Sequence, residues 1–106
     1  MGQGAQAHAE EMAKKGGGEV YLADDAALAN YNLDAAFAAV KAAVAAASAD
    51  VVLLSNTPTG WDLAPRVGAA LDAAFVPDCF NAEVEGGELV FFRRFFNGKL
   101  DSRLRP

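Results

Sequence analysis

Val51-Val52-Leu53-Leu54 is an unbroken apolar run closed by Ser55, with no polar residue on either alternation of a strand. A strand of that composition has to be covered on both faces, which is the situation of a parallel sheet sandwiched between helices. The neighbouring segments supply candidate covers. Leu33, Phe37, Val40 and Val44 recur at helical spacing and predict a helix over 34–49, with Asp34 as its N-cap. Beyond the run, Asp62 is the expected cap of a further helix. Pro65 would then fall in its first turn, where a missing N–H costs nothing, and Leu63, Val67 and Leu71 form its buried stripe.

The rest of the chain fits the same architecture. A helix is predicted over 5–15, stopped by Gly16-Gly17-Gly18. Glu19 to Ala23 and Ala74 to Val76 read as short strands, the second ended by Pro77-Asp78. Glu83 to Glu85 and Glu88 to Phe92 flank Gly86-Gly87, a hairpin signal because both glycines accept positive φ. The order predicts a three-layer α/β/α sandwich with a mostly parallel sheet, incomplete, plus a β-hairpin. Two parallel strands and a short third leave open edges that natural sheets usually cover, so further strands are expected before Met1.

Much of the 53% apolar content is alanine, which buries little area, so the core rests on Val, Leu and Phe and the isolated chain is expected to be marginally stable. A net charge of −5 argues against nucleic acid and anionic membrane as partners. No apolar run reaches the roughly 18 residues of a membrane helix, so no membrane insertion is expected. Cys79 is the single cysteine, and no clustered His or Cys completes a metal site; a reducing compartment is implied, bacterial cytoplasm or an organelle matrix. His8 is expected in solvent, Cys79 as a small buried filler and Trp61 as partly buried. Asp24 and Asp25 belong to a solvated loop, since adjacent residues in a turn point apart.

Thr57-Pro58-Thr59-Gly60-Trp61-Asp62-Leu63-Ala64-Pro65-Arg66-Val67, directly after the apolar run, resembles a segment of electron-transfer flavoprotein alpha subunits that reads strand–Thr–x–x–Gly–x–Asp–x–Ala–Pro–Arg–Val. Val20 to Asp25 with Leu28 to Tyr31, and Asp78-Cys79, the hairpin, Phe91, Arg93 and Gly98-Lys99, are similar to blocks on either side in that family. Arg94 stands where the family carries proline, and Leu100 to Pro106 departs from the apolar strand found there. The resemblance implies that residues 1–106 are part of an N-terminal alpha-subunit domain with an adenine nucleotide alpha hydrolase-like fold, packed on a beta subunit. A flavin-binding C-terminal domain, absent from these residues, would hold most of the FAD contacts. The parent heterodimer would carry electrons from acyl-CoA or related dehydrogenases to a quinone reductase or other acceptor, in bacterial cytoplasm or, for a eukaryote, in the mitochondrial matrix. This chain is then a scaffold without a catalytic site, not expected to bind FAD alone.

Against that background the candidate residues divide in two. Thr57, Thr59 and Gly60 sit at the carboxyl end of the expected strand, where open α/β sheets bind ligands. A capping Asp62 would occupy the helix donors and repel an anion, which favours a structural turn over a phosphate cradle. Asp62 and Arg66, four apart, either pair along the helix or leave Arg66 to reach the partner subunit. Arg93, Phe95 and Phe96, with Phe91, Phe92 and Arg94, read as an exposed aromatic patch at an interface rather than a base-stacking surface. The competing assignment is a freestanding nucleotide-binding module of the universal-stress type. Its late Gly-rich phosphate loop has no counterpart here, the late glycines being Gly86, Gly87 and Gly98.

Overall fold

The computed structural model describes residues 1–106 as two compact units, residues 1–54 and 55–106. In the first, helix α1 spans Gln6–Gly16 and ends where Gly17 turns left-handed at φ 65°, as the glycine run predicts. Helix α2 spans Leu33–Ala47. Its cap is Asn32, whose side chain accepts from the Ala35 N–H at 3.1 Å; the predicted cap, Asp34, lies inside the first turn. Asparagine one residue before the first apolar stripe position satisfies the same orphan donor. Ala36 is buried, while Leu33, Phe37, Val40 and Val44 are half-buried.

The predicted parallel sheet is not formed in this chain. Glu19 to Ala23 and Val51 to Ser55 carry no strand pairing, and Val20, Tyr21, Leu22, Val51, Val52 and Leu53 are exposed. The one parallel pairing is the bridge of Gly2 to Asp24, made by Gly2 N–H to Ala23 O and Asp25 N–H to Gly2 O, each 3.0 Å. The physical reason is plain: an extended run becomes a strand only when a neighbour takes its backbone hydrogen bonds, and periodicity does not provide one. Asp24 and Asp25 do point apart. Asp24 accepts from the Gly4 and Ala5 N–H groups at 2.8 and 3.2 Å, while Asp25 caps a single 3-10 turn, Ala26–Leu28, through the Ala27 N–H at 2.8 Å.

The second unit holds helix α3, Pro58–Ala70, and a three-stranded antiparallel sheet of β1 (Cys79–Glu85), β2 (Glu88–Phe95) and β3 (Leu100–Leu104), in that order. The hairpin is the one predicted: Glu85 pairs with Glu88, and Gly86 and Gly87 take φ of 60° and 86°. Other expectations need correction. Residues 74–76 are not a strand; β1 begins at Cys79 instead, and Cys79 is exposed rather than a buried filler. The tail beyond Leu100, which lacks the apolar pattern of a strand, nevertheless forms β3. It pairs with β2, and exposed ion pairs flank it, Arg94 with Asp101 and Arg103 with Glu85 of β1.

Val90 and Phe91, adjacent in β2 and therefore on opposite faces, are both buried, as are Leu63 and Val67 on α3. Paired residues share a face. One face of the sheet carries Leu89, Phe91, Arg93 and Phe95 of β2, with Val84, Ala82 and, across a register shift, Cys79 of β1 and Leu104, Ser102 and Leu100 of β3. The opposite face carries Val90, Phe92 and Arg94 with Glu83, Asn81, Arg103 and Asp101.

Candidate functional site

The turn between Ser55 and α3 is built around its backbone. Thr57, not Asp62, is the N-cap: its side-chain oxygen accepts from the Gly60 N–H at 3.2 Å, and Pro58 occupies the first helical position. Thr-Pro is itself a helix-start signal, and it lies one turn earlier than the Asp62 start read from the sequence. Pro65 is consequently in the helix interior, where its ring nitrogen leaves the Trp61 carbonyl without its usual i+4 donor. Thr57 N–H returns to Ser55 O at 2.9 Å. Gly60 is buried against that same carbonyl, so closely that a Cβ built on it would stand 1.9 Å from Ser55 O.

This geometry decides what the helix end can bind. Pro58 has no N–H and the Gly60 N–H is taken by Thr57, so Thr59 holds the one first-turn donor left. A phosphate or pyrophosphate needs several convergent donors, and these residues do not fit one. Trp61 is exposed rather than partly buried. Its indole N–H donates to Asn56 Oδ1, and the Asn56 amide donates to Asp78 Oδ1 at 2.8 Å, tying the start of α3 to the entry of β1. Sequence reasoning missed Asn56 and Asp78. The signal was the Pro77-Asp78 turn, which places a carboxylate where a loop amide can reach it. Asp62 and Arg66 lie one turn apart on the exposed side of α3, and each has a partner.

The second group gathers at the end of β2. The Arg93 guanidinium lies over the Phe95 ring, 4.5 Å from its centroid, and the Phe95 and Phe96 rings are 6.4 Å apart. Phe96 opens the connection to β3 with φ 53°, followed by Asn97 at 52° and Gly98 at 89°. A left-handed phenylalanine is uncommon, and this one is 73% exposed. The aromatic patch is smaller than the sequence suggests, because Phe91 is buried and Phe92 and Phe95 are half-buried. No hydrogen bond or ring contact joins this group to the Thr57 turn.

On the opposite face the charges are matched. Arg94 grips Asp101 through Nε at 2.7 Å and a terminal nitrogen at 3.0 Å, and lies 4.8 Å over the Phe80 ring. The hydrogen bond from Arg94 holds the Asp101 carboxyl below the usual range, and the reciprocal bond raises the Arg94 guanidinium. Both groups are exposed, so the pair orients β3 more than it stabilises it. Arg103 pairs with Glu85 and lies over Phe92, while Arg105 reaches Glu85 and Glu88 at 3.3 and 3.6 Å.

The described residues form a small α/β chain with a capped turn, unpaired apolar runs and an aromatic cluster at the end of its central strand. Comparison with known proteins identifies its family. The family model for the electron transfer flavoprotein domain matches residues 1–105, and the chain belongs to that family. It is 36% identical over 99 residues to the electron transfer flavoprotein subunit alpha of Syntrophomonas wolfei, covering 93% of this chain and 31% of the relative. It is 29% identical over 104 residues to the Bacillus subtilis subunit alpha, covering 98% and 32%. Against the protein FixB of Clostridium saccharobutylicum it is 32% identical over 93 residues, covering 86% and 28%. The chain spans about a third of the length of these curated relatives.

Proposed function

We propose that this chain is the scaffold and subunit-interface part of an electron transfer flavoprotein alpha subunit. The observation that carries the reading is the match over residues 1–105 in a chain whose two strand-like runs, Val20 to Leu22 and Val51 to Leu53, are apolar, exposed and outside any strand ladder. Such runs are rare on a finished surface, and they suit strands whose neighbours lie in the rest of the subunit. In the assembled subunit they become members of a mostly parallel sheet within a three-layer α/β/α domain. The beta subunit packs on that domain. The parent heterodimer carries electrons from acyl-CoA or related dehydrogenases to a quinone reductase or another acceptor, in the bacterial cytoplasm or, for a eukaryote, the mitochondrial matrix. FAD supplies the redox chemistry and is held by the parent complex outside these residues. The role of the residues described here is to fold, present surfaces and position the subunit, not to catalyse.

Gel filtration of the purified chain with an electron transfer flavoprotein beta subunit tests this. The Syntrophomonas wolfei beta subunit is the natural probe, since that organism's alpha subunit is a 36% identical relative. Co-elution as an equimolar, colourless complex is the expected result. Separate elution at every concentration tried would remove the interface role.

A further inference from the structure

We propose that Asn97 is a site of spontaneous covalent modification, the asparagine of this chain that loses its side-chain amide through attack by the backbone nitrogen of Gly98. The inference is independent of the assembly reading above. Asn97-Gly98 is the one Asn-Gly pair among five asparagines, and it lies in the exposed connection from β2 to β3. Three of the other asparagine side chains are engaged. The Asn32 oxygen caps α2 at 3.1 Å, the Asn56 amide donates to Asp78 at 2.8 Å, and the Asn81 amide donates to Glu83 at 2.9 Å. Asn97 and Asn30 make no side-chain hydrogen bond, and Asn30 is followed by Tyr31, whose side chain crowds the attacking nitrogen. Gly98 has no Cβ to shield its own.

The step balances without an oxidant or a reductant. The Gly98 nitrogen bonds to the Asn97 side-chain carbonyl carbon and closes a succinimide ring. The bond from that carbon to the amide nitrogen breaks, and ammonia leaves with the proton that Gly98 gives up. Water then opens the ring at either carbonyl, leaving aspartate or isoaspartate at position 97. The fold gates the attack. Asn97 sits at φ 52° and ψ 42°, a left-handed conformation that sets Cβ beside the carbonyl oxygen and so on the far side from the Gly98 nitrogen. Rotation about the Cα–C bond has to come first, and the connection resists it weakly. Phe96 and Asn97 are both non-glycine residues at positive φ, and the turn is closed in solvent by Lys99 N–H to Phe96 O at 3.3 Å. Reaction here bears on the fold because Phe95 and Leu100, on either side of the connection, are directly paired. An isoaspartate adds a main-chain carbon between them, where the register of β3 is set.

The test ages the purified full chain in neutral buffer made with heavy-oxygen water and follows each asparagine by mass spectrometry of brief tryptic digests. Trypsin releases Asn97 in the peptide Phe95–Lys99. That peptide is expected to lose ammonia and gain solvent oxygen first, as two separable products, aspartate and isoaspartate. Peptides carrying Asn30, Asn32, Asn56 and Asn81 are expected to keep their amides over the same period. In guanidinium chloride the reaction at Asn97 should quicken, because the left-handed restraint is gone. Asn97→Ser removes both products. Gly98→Ala slows their formation in the denatured chain, where strain at φ 89° plays no part. Earlier or equal loss of amide at another asparagine overturns the assignment, as does an intact Asn97 once a free peptide of the same sequence has reacted fully. An unchanged rate in denaturant overturns the gating by the fold. Equal rates for denatured Gly98→Ala and wild type overturn attack by the Gly98 nitrogen.

Discussion

Gly60→Ala is expected to cost about 2–4 kcal/mol, enough to unfold much of a marginal domain. The requirement is for space, not for an unusual backbone angle. A Cβ at Gly60 would stand 1.9 Å from Ser55 O and 3.1 Å from its carbonyl carbon. Both atoms are backbone, so no side-chain rotation relieves the contact. The Ser55 carbonyl is also held by the Thr57 N–H at 2.9 Å, and moving it breaks that bond and disturbs the Thr57 cap on Gly60 itself. Chemical denaturation followed by far-ultraviolet circular dichroism reads the loss. Gly16→Ala is the control: a Cβ there meets open space at the end of α1, and the change should be within about 0.5 kcal/mol. Equal effects at the two glycines would contradict the close approach.

Leu63→Ala is expected to cost about 2–5 kcal/mol, since the side chain is 1% exposed and its removal leaves a cavity in a small core. Leu53→Ala, in the isolated chain, should cost no more than about 0.5 kcal/mol because Leu53 is 76% exposed. The pair is informative because the apolar run alone would place Leu53 in the most buried strand of the molecule. Denaturation midpoints of both variants decide it. A large loss at Leu53 would mean that the run is covered within this chain after all.

That contrast also marks what the sequence could reveal. Periodicity and glycine placement sufficed for α1, α2 and the Gly86-Gly87 hairpin, because those elements close their hydrogen bonds locally. The start of α3 was misplaced because Asp62 and Thr57 are both competent caps. Pro58 favours Thr57, and the Thr57–Gly60 bond settles it. β3 was missed because Leu-Asp-Ser-Arg-Leu carries no strong strand pattern; it forms by backbone pairing with β2, and Asp101 and Arg103 find opposite charges on the other two strands. The parallel strands were over-read for the opposite reason: Val51 to Leu54 has the composition of a strand, but composition does not specify a neighbour. Of the candidate site residues, Thr57 and Gly60 meet at one turn and Arg93, Phe95 and Phe96 at one sheet end. That Arg93 Nε lies shut off from solvent without an acceptor could be seen only in the folded chain.

The central claim is that this chain supplies the matched third of an alpha subunit, and reconstitution in trans tests it most directly. The chain would be tagged and co-produced with the Syntrophomonas wolfei beta subunit and with an alpha polypeptide lacking the 99 matched residues. The account predicts that the tag retrieves all three polypeptides with flavin absorbance, and that the chain produced alone is colourless. Flavin retained by the chain alone, or a flavin-bearing complex that assembles without it, would contradict the claim.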